Sequence, residues 1–392
     1  MQIAMSRGLE RLTLELDDAR CIGAFHSPTA LTDPAGAVRQ ALDEPLEYPP
    51  LRRALTPGDR VAIVLDEALP NLAALLSPVL EHVAAAGVPL AGVVLVCAPG
   101  NPAHGWIDDL PDELSDVHIE DHDAKDKKKL AYMATTQSGR RLYLNRTIVE
   151  ADQVVVLSGR RFDPALGHAG GETSIFPALT DEETLHETMR LAPRAIHQES
   201  SEVAWLFGQP FHVQIIHAGG DGIAEVIAGA REATQRGRER LDATWSVRVP
   251  RHAETVVVSL GGDPALQTFA HLARATYTAS KIVQPDGRIV ILSDGAPSIA
   301  PALERLARGE EPEDILASLR KVNRPEVLPA IHWLRAMTRA KLSLWSRLPA
   351  ALVEDLGATP LEDVAQVQRL ISASKGVIFL EDGHRRRAKV TE

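Results

Sequence analysis

The chain is 392 residues long, 45% hydrophobic and 24% charged, a composition ordinary for a soluble globular protein and sufficient for two or three full cores. Its net charge of −11 argues against a nucleic-acid partner, because like charges gather only in the short runs 126-DKKK-129 and 384-HRRR-387 and leave no basic face. No apolar run approaches the roughly 18 residues of a membrane span, no charged-then-apolar segment opens the chain, and the two cysteines, Cys21 and Cys97, are too few for a disulfide framework; the expected location is the cytoplasm.

Strands and helices alternate along the chain. RVAIVLDE (60–67) is predicted as a strand, and LAALLSPVLEHVAAAG (72–87) as a helix with an apolar stripe that stops at Gly87. GVVLVCAPG (92–100) is the next strand, and Cys97 at the end of its apolar run reads as a small buried side chain. HIEDHDA (118–124) invites a metal reading through His118, Asp121, His122 and Asp123, but a structural role suits it better. A hairpin-like pair, LAYMATT and RLYLNRT, follows around Gln137-Ser138-Gly139, then a helix start at IVEAD and the buried strand VVVLSG (154–159). Further on, FHVQIIHA and GIAEVIAGA flank GGDG, a strong hairpin signal.

A second α/β unit is expected from about residue 252 onward, with the strand ETVVVSLGGD (254–263), the helix ALQTFAHLARATYTAS (265–280), the strand GRIVILSDG (287–295) and the closing strand GVIFLED (376–382). The expected fold class is therefore α/β: two α/β domains, with mixed and parallel sheets, around an inter-domain cleft. The boundaries are placed at 1–250 and 251–385, with 386–392 as a tail and the HRRR run part of a frayed terminus. In open sheets ligands sit beyond the carboxyl ends of strands, so the loops after Leu65, Cys97, Leu157, Leu260 and Leu292 are where chemistry is sought.

The most informative of these loops is 166-LGHAGGETSIFPAL-179, set between VVVLSG and a helix start, TDEETL, with Thr180 as its N-cap and Glu183 completing a capping box. A strand, a glycine turn and a helix start together often present backbone N–H groups to an anion. The plainer reading is a tight loop whose glycines only supply positive φ.

Beyond this loop, blocks along nearly the whole chain resemble the nickel-dependent lactate racemase family. They include EPLEYPPLRRALTPGDRVAIVLDE, HDAKDKKKLAYMATTQSGRRLYLNRTIVEADQVVVLSG, GHAGGETSIFPAL, FHVQIIHAGGDGIAEVIAGA and GGDPALQTFAHLARATYTASKIVQPDGRIVILSDG, in the family's order. The resemblance implies a fold of two α/β domains around a cleft and an isomerase, a racemase or epimerase of 2-hydroxy acids. It also implies a nickel pincer nucleotide tethered to a lysine, which accepts and returns a hydride while histidines move the hydroxyl proton.

This sequence departs from that pattern at many of the family's functional positions. The arginine of the family's Asp-Asp loop has no counterpart in Asp66-Glu67-Ala68-Leu69-Pro70. The Gly-Thr-His loop, source of one catalytic histidine, corresponds to Gly100-Asn101-Pro102, with His104 two residues late. The second catalytic histidine aligns with Asp163, the tethering lysine with Thr173 beside Glu172, and the nickel histidine with Met189. Gln267 matches a family glutamine, while Ala270 stands where a lysine is expected. Threonine cannot make lysine's link to the cofactor, and a methionine thioether is poorly matched to replace imidazole on nickel(II).

The candidate positions follow. His104 and Asp163 are the candidates for acid–base work, and Asp66, Glu67, Gly100, Asn101, Gly170, Gly171, Glu172, Thr173 and Gln267 are expected to line the cleft. His168, Glu172 and His186, within nineteen residues, are weak metal candidates because their spacing fits no established ligand motif. Two functions stay open. One is a diverged relative that binds an anionic metabolite without the pincer chemistry. The other is an active isomerase with a rebuilt metal or cofactor site. The expected partner is a small anionic metabolite, with a homo-oligomer or a pairing with an intact relative both left open, and with neither nucleic acid nor membrane.

Overall fold

The computed structural model describes residues 1–98, 104–137, 139–322 and 327–391. The chain divides into two compact units, one of Ala30–His217 with Ile223–Thr244, the other of Met1–Thr29, Ala218–Gly222 and Trp245–Glu392. The sequence reading drew a single cut near residue 250. The first 29 residues instead belong with the C-terminal unit, because strand Cys21–Phe25 pairs in parallel with Val377–Leu380.

In the unit beginning at Ala30, strand Val61–Leu65 is five apolar residues in a row, all buried. Such a run needs cover on both faces. Ile63 and Leu65 pack with Leu75, Leu76 and Val79 of helix Leu72–Ala85, while Ala62 and Val64 pack with Ile148, Val154, Val156 and Phe176. The sheet runs in the order Ile223–Gly229, Phe211–His217, Gln153–Asp163, Val61–Leu65, Val93–Cys97, His118–Asp121. All neighbours are parallel except the first pair, an antiparallel hairpin as its glycines suggested. The register sets Leu65 beside Cys97 on one side and Leu157 on the other, so two strands end abreast beside the longer third. Leu130–Thr135 and Arg141–Asn145 form the second expected hairpin.

Two local readings are corrected. The helix after the glycine loop is Glu182–Thr188, and its N-cap is Asp181, whose carboxylate accepts the Thr184 N–H at 3.0 Å. The Thr180 hydroxyl instead donates to the Pro177 carbonyl at 2.8 Å. The strand expected to end at Gly159 continues to Asp163, because Gly167–Ala169 pairs antiparallel with its far end.

The other unit holds a six-stranded, wholly parallel sheet: Ala358–Pro360, Ala340–Trp345, Val283–Leu292, Ala253–Ser259, Val377–Leu380, Cys21–Phe25. Val256 and Val258 face a core shared with Phe269 and Leu272 of helix Phe269–Ser280, and Val257 faces a second core with Val290 and Phe379. No helix among the described residues is long and apolar enough to cross a membrane.

The HRRR run is not a frayed end. Arg387–Val390 is a strand paired in parallel with Ser246–Val249, and Arg386 is only 4% exposed. Its guanidinium donates to the carbonyls of Glu381, Phe25 and His26 and lies 5.0 Å from the ring centre of Trp245. Replacing Arg386 by alanine takes this donor from the Glu381 and His26 carbonyls, while the Phe25 carbonyl keeps the Glu381 N–H at 3.0 Å. Since each buried polar group left unsatisfied costs about 1–3 kcal/mol, Arg386→Ala is expected to destabilise this unit by about 3 kcal/mol or more in urea unfolding. Arg386→Lys should recover little, since an ammonium cannot span the same three carbonyls with a planar fork.

Candidate functional site

The strand ends at Leu65 and Cys97, with the longer strand Gln153–Asp163 beside them, open onto a cavity of about 280 Å³, with Asp66, Glu67, Arg161, Gly170, Thr173 and Ser174 among its lining residues. Asp66 ties two of the strands together: its carboxylate accepts the Gly159 N–H at 3.1 Å and an N–H of the half-exposed Arg161 guanidinium. That carboxylate keeps Arg161 firmly protonated. Gly159 leaves no space for a side chain, since a Cβ there would stand 2.7 Å from His217 Nε2. Among the described lining residues Arg161 is the single cation; no lysine is present.

The glycine loop is built on a buried charge. Arg160, 1% exposed, donates to the Gly170 carbonyl at 2.7 Å, the Thr234 carbonyl at 3.1 Å and the Gln214 side-chain oxygen. Burial, with Arg238 nearby, pushes its guanidinium down to about 9, and Glu172 opposes that shift. Gly170 (φ +90°) and Gly171 (φ +62°) are required here, because a Cβ would meet the Gly159 carbonyl oxygen at 2.3 Å in one case and Arg160 Nη2 at 2.4 Å in the other. The Gly171 N–H donates to Ser158 Oγ at 2.8 Å, so it is already engaged rather than offered to an anion.

The other expected positions have the following surroundings. Glu172 turns into the interior, where it pairs with Arg238 at 2.9 Å and accepts from Thr234 and Ser201. His168 Nε2 lies 3.1 Å from Asp242, and His186 is exposed on helix Glu182–Thr188, so His168, Glu172 and His186 each engage different surroundings. Asp163 accepts the N–H groups of Ala165 and Leu166, both at 2.8 Å, and so starts the turn. Thr173 is buried with its hydroxyl on the Gly170 carbonyl at 3.1 Å, and Met189 caps the end of helix Glu182–Thr188. His122 is buried with Nε2 2.9 Å from the Thr180 carbonyl oxygen, the structural role expected. Gln267 belongs to the other unit, where its oxygen accepts from Ser293, Asp294 and Gly295 and braces two loops. Gly100 and Asn101 lie outside the described residues.

At the cavity's edge, His104 Nδ1 lies 2.7 Å from Glu67 Oε1, which also accepts the Trp106 indole N–H at 2.8 Å. His104 Nε2 lies 3.4 Å from Asp121. The bond to Glu67, opposed by burial and helped by Asp121, raises the imidazole above its ordinary value of 6.5. Beside them the Cys97 thiol is fully buried and pushed up to about 12, first by burial and then by the charges of Glu67 and Asp121. Sequence reading found His104 and Glu67 but missed two neighbours. Cys97 looked like core because it closes an apolar run, although its parallel pairing with Leu65 sets it near the Asp66-Glu67 turn. Arg161 was missed because the strand was ended at Gly159.

The arrangement is that of an α/β unit with a cavity at the carboxyl ends of parallel strands, where open sheets of this kind hold their ligands. Residues 8–200 match the lactate racemase N-terminal domain. A lactate racemase from Thermoanaerobacterium thermosaccharolyticum is 21% identical over 94% of this chain and 93% of that protein. The apoprotein structure of lactate racemase from that organism covers all of both chains with a TM-score of 0.78 at 18% identity. A crystal structure of a Thermotoga maritima protein covers 92% of this chain and 99% of its own, with a TM-score of 0.62 at 12% identity. The chain belongs to the lactate racemase family.

Three outcomes are expected. Because His104 has a folded pKa above its unfolded 6.5, its pairing stabilises the protein fully below about pH 6.5 and loses that effect as pH rises through the folded value. The stability difference between wild type and His104→Gln, measured by urea unfolding, should therefore shrink with rising pH, and Glu67→Gln should lower the His104 titration midpoint followed by NMR. Glu172→Gln removes the carboxylate facing Arg160 and Arg238. It is expected to destabilise the fold by about 3 kcal/mol, in the same unfolding assay.

Proposed function

We propose that this chain is a cytoplasmic lactate-racemase relative that binds a small 2-hydroxy acid in the Arg161 cavity, without the family's nickel pincer chemistry. One observation carries the reading: Arg161 supplies a positive fork in a small cavity whose other polar walls, Asp66 and Glu67, can accept hydroxyls. A guanidinium is suited to bidentate capture of a carboxylate, and a ligand carboxylate would exchange with Asp66 for it. The residues do not fit the pincer nucleotide. Where its tether would attach, Thr173 offers a hydroxyl already bonded to a carbonyl, and the lining holds no amine.

A second reading, an isomerase with a rebuilt site, is favoured by the His104–Glu67 pair, since an imidazole bonded to a carboxylate that favours its charged form is suited to take up and release a proton. Calorimetric titration with D- and L-lactate, glycerate and aldonic acids tests the first reading. Binding should occur, and Arg161→Gln should weaken it about tenfold or more, the loss of a charge-assisted hydrogen bond. No binding across the panel would remove the proposal. Each acid is also incubated in D2O with enzyme: no deuterium at the α-carbon is expected, and incorporation would replace this reading with the second.

A further inference from the structure

Glu67, Cys97 and His104 bring a carboxylate oxygen, a thiol sulfur and an imidazole nitrogen within 4.8 Å of one another. We propose that these three side chains form a site for a divalent ion of the zinc class, with a fourth coordination position left open. The proposal goes beyond the ligand reading above and does not rest on it. It also uses neither position, Thr173 or Met189, at which the family resemblance places the cofactor tether or the nickel ligand.

The donor set is the first argument. Sulfur, nitrogen and oxygen together suit zinc, and three protein ligands with an open position are the arrangement of metal sites that work on a substrate. Tetrahedral zinc sets its ligand atoms roughly 3.5 Å apart, so the present spacing needs only a modest closure. Charge is the second argument. A thiolate, a carboxylate and a neutral imidazole together balance a dication, so the occupied site carries no net charge.

The third argument is the outer ring of groups. Imidazole ligands usually give their other nitrogen to a carboxylate, which fixes the ring. Asp121 stands 3.4 Å from His104 Nε2, which leaves Nδ1 as the nitrogen on the side of Glu67 and Cys97. Trp106 donates to Glu67 Oε1 and leaves Oε2 for the ion. Two of the ligands are set by the sheet: Cys97 ends a buried strand in register with Leu65, and Glu67 follows two residues after Leu65. On binding, the Cys97 thiol proton and any proton on His104 Nδ1 leave to solvent, and the Nδ1–Glu67 contact gives way to two bonds to the ion.

The test uses the full-length protein. Wild type, Cys97→Ser and His104→Gln are incubated with zinc chloride, desalted and analysed for metal, with thermal melts to confirm folding. About one zinc per wild-type chain is expected, falling to background in both variants, and Asp121→Asn should bind about 10–100-fold more weakly. Cobalt(II) added to the wild-type chain reads the sulfur ligand directly, through a thiolate-to-cobalt charge-transfer band, so the test stands even where a variant fails to fold. No zinc in the wild type, zinc retained by folded Cys97→Ser, or a cobalt spectrum without the thiolate band would each overturn the site.

Discussion

The cavity wall depends on the buried guanidinium of Arg160. A charge with so little access to water must be met by fixed dipoles, and here those are the carbonyls of Gly170 and Thr234 and the amide oxygen of Gln214. Meeting that demand pulls the glycine loop back against strand Gln153–Asp163 and selects glycine at 170 and 171. Glu172 then turns inward, to the same charged interior, rather than into the cavity. The cavity is therefore shaped less by what lines it than by the buried ion network behind it.

Much of the architecture was legible in the sequence because its signals are local. Unbroken apolar runs such as VAIVL and VVLVC mark strands covered on both faces, and paired runs around glycine mark hairpins. What escaped was set by partners distant in sequence. Asp181 and Thr180 are both good caps, and only the packing of Thr180 against Pro177 decides between them. A basic run near a terminus looks solvated, yet Arg386 satisfies carbonyls that belong to residues near the other end of the chain. The site divides the same way. Asp66, Glu67 and His104 follow from strand ends, whereas Cys97 and Arg161 require knowing the register between strands and how far one of them runs.

Family membership and local chemistry pull in different directions here. The fold of a lactate racemase covers the whole chain, and Gly170 and Gly171 meet the demands of its tightest loop. Thr173 and Met189 keep the loop and the helix end in place without the functional groups that the family resemblance assigns to them. Gly170 and Gly171 are explained by backbone packing, so they say nothing about activity. The polar groups with free chemical scope lie instead on the turn after Leu65 and on the strand end opposite it.

The two units are also threaded through one another in sequence, and this bears on how the protein is made. The Ser27 N–H bonds Glu381, 354 residues later, and strand Cys21–Phe25 has its pairing partner only at Val377–Leu380. At about 5–20 residues per second, a ribosome delivers that partner roughly 20 to 70 s after the first strand emerges. The unit from Ala30 to Thr244 can close meanwhile, while the leading strand waits with an open edge. Synthesis thus finishes the cavity-bearing unit first and leaves strand Cys21–Phe25 to be placed afterwards.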